Sequence, residues 1–300
     1  MHIFETLDSI KPINNSVLTI GSFDGIHIGH SKLISRLIYT SNFLNSPSVL
    51  ITFDPLPKQI LRNDDLNFEN TLMTLESKIN ILANFNIDYL LVLKFDVLLS
   101  KMKALDFLQN IILKNFNPNT IVLGYDHQFG YNREGDKNFL KKYSKKFNYK
   151  IDTIPEQCIS DEIISSTAIK NYVKSGNLEK ANRMLGYQYQ IIGTVVKGNK
   201  IGRKLNYPTA NIRPKSKQIL PKIGVYKVIV IINGKEYIGM CNIGYSPTFN
   251  GKNKRIEVNI ISDFTFQLYG QIIKIKFVRF IREELKFKTV KSLVKQLQND

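Results

Sequence analysis

The sequence has no apolar run long enough to cross a bilayer, which excludes a chain threaded through a membrane by helices. It has little cysteine. Cys158 and Cys241 lie far apart and in no metal-ligand spacing, so free thiols and a reducing compartment are expected. The opening residues, MHIFETLDSIKP, lack the basic-then-apolar layout of a secretion signal, and a cytoplasmic protein is expected. No internal repeat or low-complexity tract is visible. Acidic side chains are outnumbered, 25 against 42 basic ones, giving a net charge of +17. That excess is mostly lysine, scattered among abundant Asn and Ile, as a compositional bias of the genome produces. Its densest run, KKYSKK at 141–146, sits on an amphipathic segment and reads as a solvated helix face. Nucleic acid is therefore not the expected partner, though a positive field draws in anionic substrates.

What is present is an ordinary apolar share, 43% of 300 residues, enough for a sizeable core and for two domains. The first region alternates strand-like and helix-like patterns: SVLTIG, then a helix over 29–44, SVLITFDP, LESKINILANFN, DYLLVLKF, KALDFLQNIILKNF and TIVLGYD. Helices of this length between strands predict a parallel sheet with helices on both faces, whose ligands bind beyond the carboxyl ends of the strands. Helical patterns STAIKNYVKSG and LEKANRMLG close this region. After about 183 the strands QIIGTVVKG, GVYKVIVIINGKEYIGMCNIG, IEVNIIS and IIKIKFVRFIR follow without helices between them. Asn233-Gly234 signals a two-residue hairpin, and the whole predicts a small antiparallel barrel. A helix capped by Thr289, with Val290, Leu293, Val294 and Leu297 on one face, is expected to end the chain. The expected boundary gives domains 1–183 and 184–300.

Chemistry concentrates in GSFDGIHIGH, residues 21–30. Glycines permit a tight turn and close backbone approach to a ligand. His27 and His30 fall three apart at the start of a helix, whose free N–H groups and partial positive charge suit phosphate. Imidazoles there can donate to phosphate oxygens as charge develops. An attacking phosphate is already an anion and needs no base, which points to nucleotidyl transfer with loss of pyrophosphate. Two histidines that merely cap a helix, or a loose His-x-x-His metal site, are the rival readings. In ISSTAIK, Ser165, Ser166 and Thr167 precede a helical pattern and Lys170 follows one turn later. They offer hydroxyls and N–H groups to an anion, or form an ordinary Ser/Thr cap.

A second group of polar residues lies in GTVVKGNKIGRKLNYPTAN. Gly198 and Gly202 offer backbone that can wrap phosphates. Pro208 stiffens the loop, and Thr209 and Asn211 present oxygens two residues apart, on one side if extended. Such oxygens suit Mg²⁺, though a plain turn has the same composition. Glu257 projects alone from a largely apolar strand, flanked by Ile256 and Val258 that point the other way.

GSFDGIHIGH with ISSTAIK resembles the HxGH nucleotidyltransferase superfamily. TFDPLP, GYDHQFGYNREGD and GRKLNYPTAN, with GVY, NIGYSPTF, LYG and RFIREELKF, narrow the resemblance to the bifunctional riboflavin kinase/FMN adenylyltransferases over essentially the whole chain. The resemblance implies an α/β fold: a Rossmann-like N-terminal nucleotidyltransferase domain and a C-terminal β-barrel kinase domain with a terminal helix. It implies ATP as co-substrate of both reactions, Mg²⁺ as cofactor, and riboflavin, FMN and FAD as ligands. Gly21, Phe23, Asp24, Gly25, His27, Gly29, His30, Ser166, Thr167 and Lys170 would bind ATP for adenylyl transfer, with His27 and His30 catalytic. Asp126 and Phe129 would line the flavin pocket, where an aromatic face can stack on isoalloxazine. In the barrel, Gly198, Gly202, Arg203, Pro208, Thr209 and Asn211 would bind ATP, Thr209 and Asn211 the metal, and Glu257 would be the base. Departures from the family pattern are Leu56 for histidine, His127 for phenylalanine, Lys170 for arginine, Ala168, Asn206 for glycine and Asn259 for histidine. They leave open a kinase with weakened adenylyl transfer, or a basic flavin- or RNA-binding regulator on the same scaffold.

Overall fold

The structure, a computed structural model, describes residues 1–61, 71–197, 209–215, 218–245, 254–261 and 268–285, together with Ser292 and Gln296. The chain divides into two compact units, Met1–Phe68 with Thr74–Ser165, and Glu69–Met73 with Ser166–Asp300.

The first unit carries a six-stranded sheet in the order β1-β4-β3-β2-β5-β6. Its strands are β1 (His2–Phe4), β2 (Ser16–Ile20), β3 (Ser48–Phe53), β4 (Tyr89–Leu93), β5 (Pro118–Gly124) and β6 (Lys150–Ile154), and every neighbouring pair is parallel. The connections hold α1 (Ile28–Leu44), α2 (Pro57–Leu61), α3 (Leu75–Leu82), α4 (Val97–Ser100), α5 (Ala104–Phe107) running through a π-helical stretch into α6 (Lys114–Phe116), and α7 (Lys137–Ser144). A small hairpin, β7 (Cys158–Ile159) with β8 (Glu162–Ile163), follows. The expected parallel sheet is present, with two strands the patterns did not reveal. β1 is only three residues long, and β6, KIDTI, carries Asp152 and Thr153 in its middle.

Alternation assigns the faces of the sheet. Leu18, Ile20, Val49, Ile51, Phe53, Leu91 and Leu93 join one core with Phe107, Leu108, Ile111 and Ile112. The residues between them, Val17, Thr19, Leu50, Thr52, Leu90 and Val92, are buried outside that core. Their side of the sheet receives Lys78 of α3, whose ammonium reaches Thr52. Helices thus cover both faces, as expected. Strand order reverses between β2 and β5, so the crevice that such a sheet opens to ligands lies at their carboxyl ends. Those ends carry Gly21 and Gly124.

The second unit begins with α8 (Ser166–Ser175) and α9 (Leu178–Leu185). Asn177 caps α9 at its start and Gly186, left-handed at φ 80°, ends it. The Asn182 carboxamide donates to the Phe277 carbonyl at 2.9 Å and accepts the Tyr189 N–H at 2.7 Å, which ties α9 to the strands. The strands are β9 (Gln190–Val196), β10 (Thr209–Pro214), β11 (Gly224–Ile232), β12 (Lys235–Tyr245), β13 (Lys254–Ile260) and β14 (Ile272–Arg282). They close into an antiparallel barrel in the order β10-β13-β12-β11-β14-β9, sealed by β9 pairing with β10. Tyr226, Val228, Ile243, Val258, Ile275 and Phe277 are fully buried. The β11–β12 turn is Asn233-Gly234 with φ 49° and 79°, the left-handed pair the hairpin signal requires. Thr71 pairs in parallel with Gln218, whose side chain donates to the Leu72 carbonyl, so residues 69–73 group with this unit. Of the expected C-terminal helix only Ser292 and Gln296 are described, both helical.

Candidate active sites

The turn after β2 is held in an unusual shape. Phe23, Gly25 and Ile26 all have positive φ, at 46°, 87° and 33°. For Phe and Ile this costs about 1–3 kcal/mol each. Both side chains are buried, Phe23 at 0% exposure and Ile26 at 1%, and burying each returns about 1.5–3 kcal/mol. Burial of the two apolar anchors can therefore hold the strained turn. Gly21 extends the ladder by donating to the Ile51 carbonyl at 3.0 Å.

His27 is the N-cap of α1. Its Nδ1 accepts the backbone N–H of His30 at 3.3 Å. The ring proton must then sit on Nε2, which leaves that atom as a donor. The two imidazoles stack, with centroids 3.7 Å apart and an interplanar angle of 16°. Gly29 makes room for this: a Cβ there would lie 3.2 Å from Nδ1 and Cε1 of His27. Burial pushes His27 down to about 4. Burial, His27 and Lys78 together push His30 well below the usual imidazole range, and its Nδ1 is buried without a hydrogen-bond partner among the described residues. Both rings are therefore neutral at pH 7. Asp24 is buried in the same turn.

Sequence reasoning missed Lys78. It is 3% exposed, and its ammonium donates to the Ser22 carbonyl at 2.8 Å and to the Thr52 hydroxyl at 3.1 Å. The available signal was a lysine on the apolar stripe of α3, one turn after Leu75 and one turn before Leu82.

At the end of β5, Asp126 is exposed and Phe129 is 8% exposed. The Phe129 ring packs on Phe107 at 5.6 Å and on Phe139 at 5.9 Å, so it is a core side chain first. His127 stacks on it at 5.7 Å, with Nε2 buried and unpartnered among the described residues. Burial pushes His127 down to about 4. Backbone bonds between Phe129 and Gly135 in both directions pinch this loop closed. Leu56, where the family pattern has histidine, is buried. Ser166, Thr167 and Lys170 lie in the first turns of α8, in the second compact unit.

In the barrel, Gly198, Gly202, Arg203, Asn206 and Pro208 lie outside the described residues. The PTAN residues expected as a loop enter a strand: Thr209 opens β10. Thr209 and Asn211 alternate with buried Ala210 and Ile212, so their side chains share the outer face. Asn211 pairs with Glu257 of β13, and Glu257 pairs with Asn242 of β12. The three form a row across the barrel's outer face. Glu257 is half-buried and lies 3.4 Å from the Arg255 guanidinium. Burial pushes the Glu257 carboxyl up, Arg255 opposes this, and Glu284 adds to it. The Asn242 carboxamide donates to Glu284 at 3.2 Å. Asn242 and Glu284 were not singled out from sequence, although both fall in strings that carry the resemblance. Asn259, two residues beyond Glu257, is buried.

Comparison with known proteins gives a separate family pattern to each half of the chain. The FAD synthetase family pattern matches residues 9–168 and the riboflavin kinase pattern matches residues 185–300. A bifunctional riboflavin kinase/FMN adenylyltransferase of Buchnera aphidicola subsp. Schizaphis graminum is 36% identical, covering 100% of this chain and 96% of the relative. One from Listeria monocytogenes is 35% identical over 95% and 90% of the two chains. A crystal structure described as a macrolide-efflux protein from Streptococcus pneumoniae superposes with a TM-score of 0.91 at 31% identity, over 100% and 96% of the chains. No helix among the described residues is long and apolar enough to cross a membrane. The chain belongs to the bifunctional riboflavin kinase/FMN adenylyltransferase family.

Proposed function

We propose that this chain makes FAD from riboflavin in two ATP-dependent steps, with residues 184–300 as the kinase and 1–183 as the adenylyltransferase. The stacked, neutral His27–His30 pair at a helix N-terminus carries the reading. In the first step the riboflavin 5′-hydroxyl oxygen attacks the γ-phosphorus of ATP, its proton passes to Glu257, and ADP leaves. In the second, a phosphate oxygen of FMN attacks the α-phosphorus of a second ATP and pyrophosphate leaves. The anionic nucleophile needs no base. Nε2–H of His27 and the His30 ring would instead donate to the phosphate oxygens as charge builds. Ser166, Thr167 and Lys170, in the first turns of α8, offer hydroxyls and a cation that would bind triphosphate.

A hard-oxygen donor set on one face of β10 fits Mg²⁺, and Thr209 and Asn211 are the residues that would hold it. The ion would offset charge on the transferred phosphoryl group. Asp126 and the ring of His127, backed by Phe129, would form one wall of the flavin site. The free thiols suit a cytoplasmic enzyme. Incubation of the purified chain with riboflavin, ATP and Mg²⁺, with flavins separated over time, tests the proposal. FMN should appear first and FAD after it. FMN alone would reduce the chain to a kinase, and no turnover would reject both steps.

A further inference from the structure

We propose that Lys78 is a positioning residue of the adenylyl-transfer site: its buried ammonium clamps the Ser22 carbonyl and the Thr52 hydroxyl, holding the His27–His30 turn in its phosphate-receiving shape and lending that pocket a fixed positive charge. This rests on the reading of the histidine turn as the adenylyltransferase site.

The geometry is a three-way junction. Ser22 follows Gly21 in the strained turn, Thr52 sits at the end of β3, and Lys78 arrives from α3. Two ammonium donors are committed, at 2.8 Å and 3.1 Å. The Thr52 hydroxyl also donates to the Ser22 carbonyl, at 3.3 Å. A positive-φ turn persists only when its surroundings over-determine it. Phe23 and Ile26 anchor this one from below, and Lys78 fixes the carbonyl immediately before Phe23.

A hydrogen-bond tie alone does not call for a charge. Burying an ammonium is expensive, and a neutral amide or hydroxyl could donate to the same carbonyl. Here the charge faces Asp24 of the turn and Asp54 after β3, and it acts on His30 at the start of α1, which is stacked on His27. Its field opposes protonation of His30 and favours the triphosphate. Burial pushes Lys78 down to about 8, against the opposing pull of Asp24 and Asp54. The group is therefore mostly charged at pH 7 and loses its charge, though not its N–H donors, as pH rises through about 8.

The test uses the full chain, with FAD formed from supplied FMN and ATP measured between pH 6 and 10, and with the His30 ring titrated by NMR. In the unaltered protein kcat/KM for ATP should fall above about pH 8. Lys78→Arg keeps a cation that does not deprotonate, so it should retain activity within about tenfold and lose that alkaline limb. Lys78→Met removes both charge and donors, so it should lower kcat by about 10²-fold below pH 8, the scale for slight misplacement of reacting groups, show no alkaline limb of its own, and move the His30 titration to higher pH. Wild-type kcat in Lys78→Met, or the same alkaline limb in Lys78→Arg, overturns the proposal. If Lys78→Met does not fold, the Lys78→Arg limb decides alone. An unaltered protein that makes no FAD refutes adenylyl transfer; the His30 titration in Lys78→Met then decides whether the clamp exists.

Discussion

The imidazoles of His27 and His30 lie face to face at 3.7 Å, with the backbone N–H of His30 donating to the ring of His27. Two cations at that separation would repel, and burial already disfavours charge on either. The ordinary His27 value of 6.5 falls to about 4 in the fold. Between those values the unfolded chain binds a proton that the folded chain does not. Stability should therefore fall as pH drops from 6.5 toward 4, by at most about 1.4 kcal/mol per pH unit from this group, and level off below. An NMR titration of the His27 ring should give a midpoint near 4. A midpoint near 6.5 would show the pair to be solvated.

His30→Ala removes one donor from the proposed phosphate site. FAD formation should slow by about 10²–10³-fold, the cost of losing one oxyanion donor. FMN formation, which depends on the barrel, should be unchanged. Equal loss of both activities in a folded protein would count against assigning His30 to a single site.

Gly29→Ala tests the same pair without removing a donor. The added Cβ would meet the His27 ring at 3.2 Å, closer than an ordinary contact. The ring must tilt, and its Nε2–H should leave its line toward phosphate. FAD formation should fall by about tenfold or more, since small misplacements are costly in catalysis, with the fold intact by circular dichroism. Wild-type FAD formation would mean that the stack is incidental.

Much of this was legible in the sequence because its signals were local. The GSFDGIHIGH turn, the strand–helix alternation and Asn233-Gly234 each declare themselves within a dozen residues. β1 and β6 did not, since a three-residue edge strand and one with Asp and Thr at its centre leave no apolar period. Lys78 stayed hidden for the opposite reason. Its helix shows a plain apolar period, but a lysine on an apolar stripe acquires meaning only when Ser22 and Thr52 arrive from elsewhere in the chain. Phe129 offers an aromatic face in the sequence, but its packing on Phe107 and Phe139 depends on tertiary contacts that no local pattern encodes. The row Asn211–Glu257–Asn242 depends on register across three strands, which no single segment encodes.

That row supports a prediction about pH. Glu257 must be ionised to accept a proton, and Glu284 helps hold its carboxyl above the ordinary range. FMN formation should therefore lose rate on the acid side at a pH above that of an exposed glutamate. Glu284→Gln removes a negative neighbour, lowers the Glu257 value, and should move this acid limb to lower pH. Glu257→Gln should abolish the limb along with most of the rate, since general base catalysis contributes about 10²–10⁴-fold. FMN synthesis at full rate in Glu257→Gln would remove the base from the scheme.

Barrel closure gives the last prediction. β9 and β10 seal the barrel, and Gly193 of β9 sits where a Cβ would lie 2.4 Å from Ile212 Cγ2 and 2.8 Å from the Arg213 carbonyl oxygen. The second obstacle is backbone, so no rotamer change can relieve it. Gly193→Ala must push β10 away from β9, and β10 is the strand that carries Thr209 and Asn211. The variant should be destabilised by about 1–3 kcal/mol, as overpacked cores are, visible as a lower thermal midpoint of the second unit. FMN formation should weaken through a raised KM for ATP with Mg²⁺, while FAD formation from supplied FMN is spared. A wild-type midpoint with wild-type KM would show that the strands yield without cost and that the seal does not position the Thr209–Asn211 face.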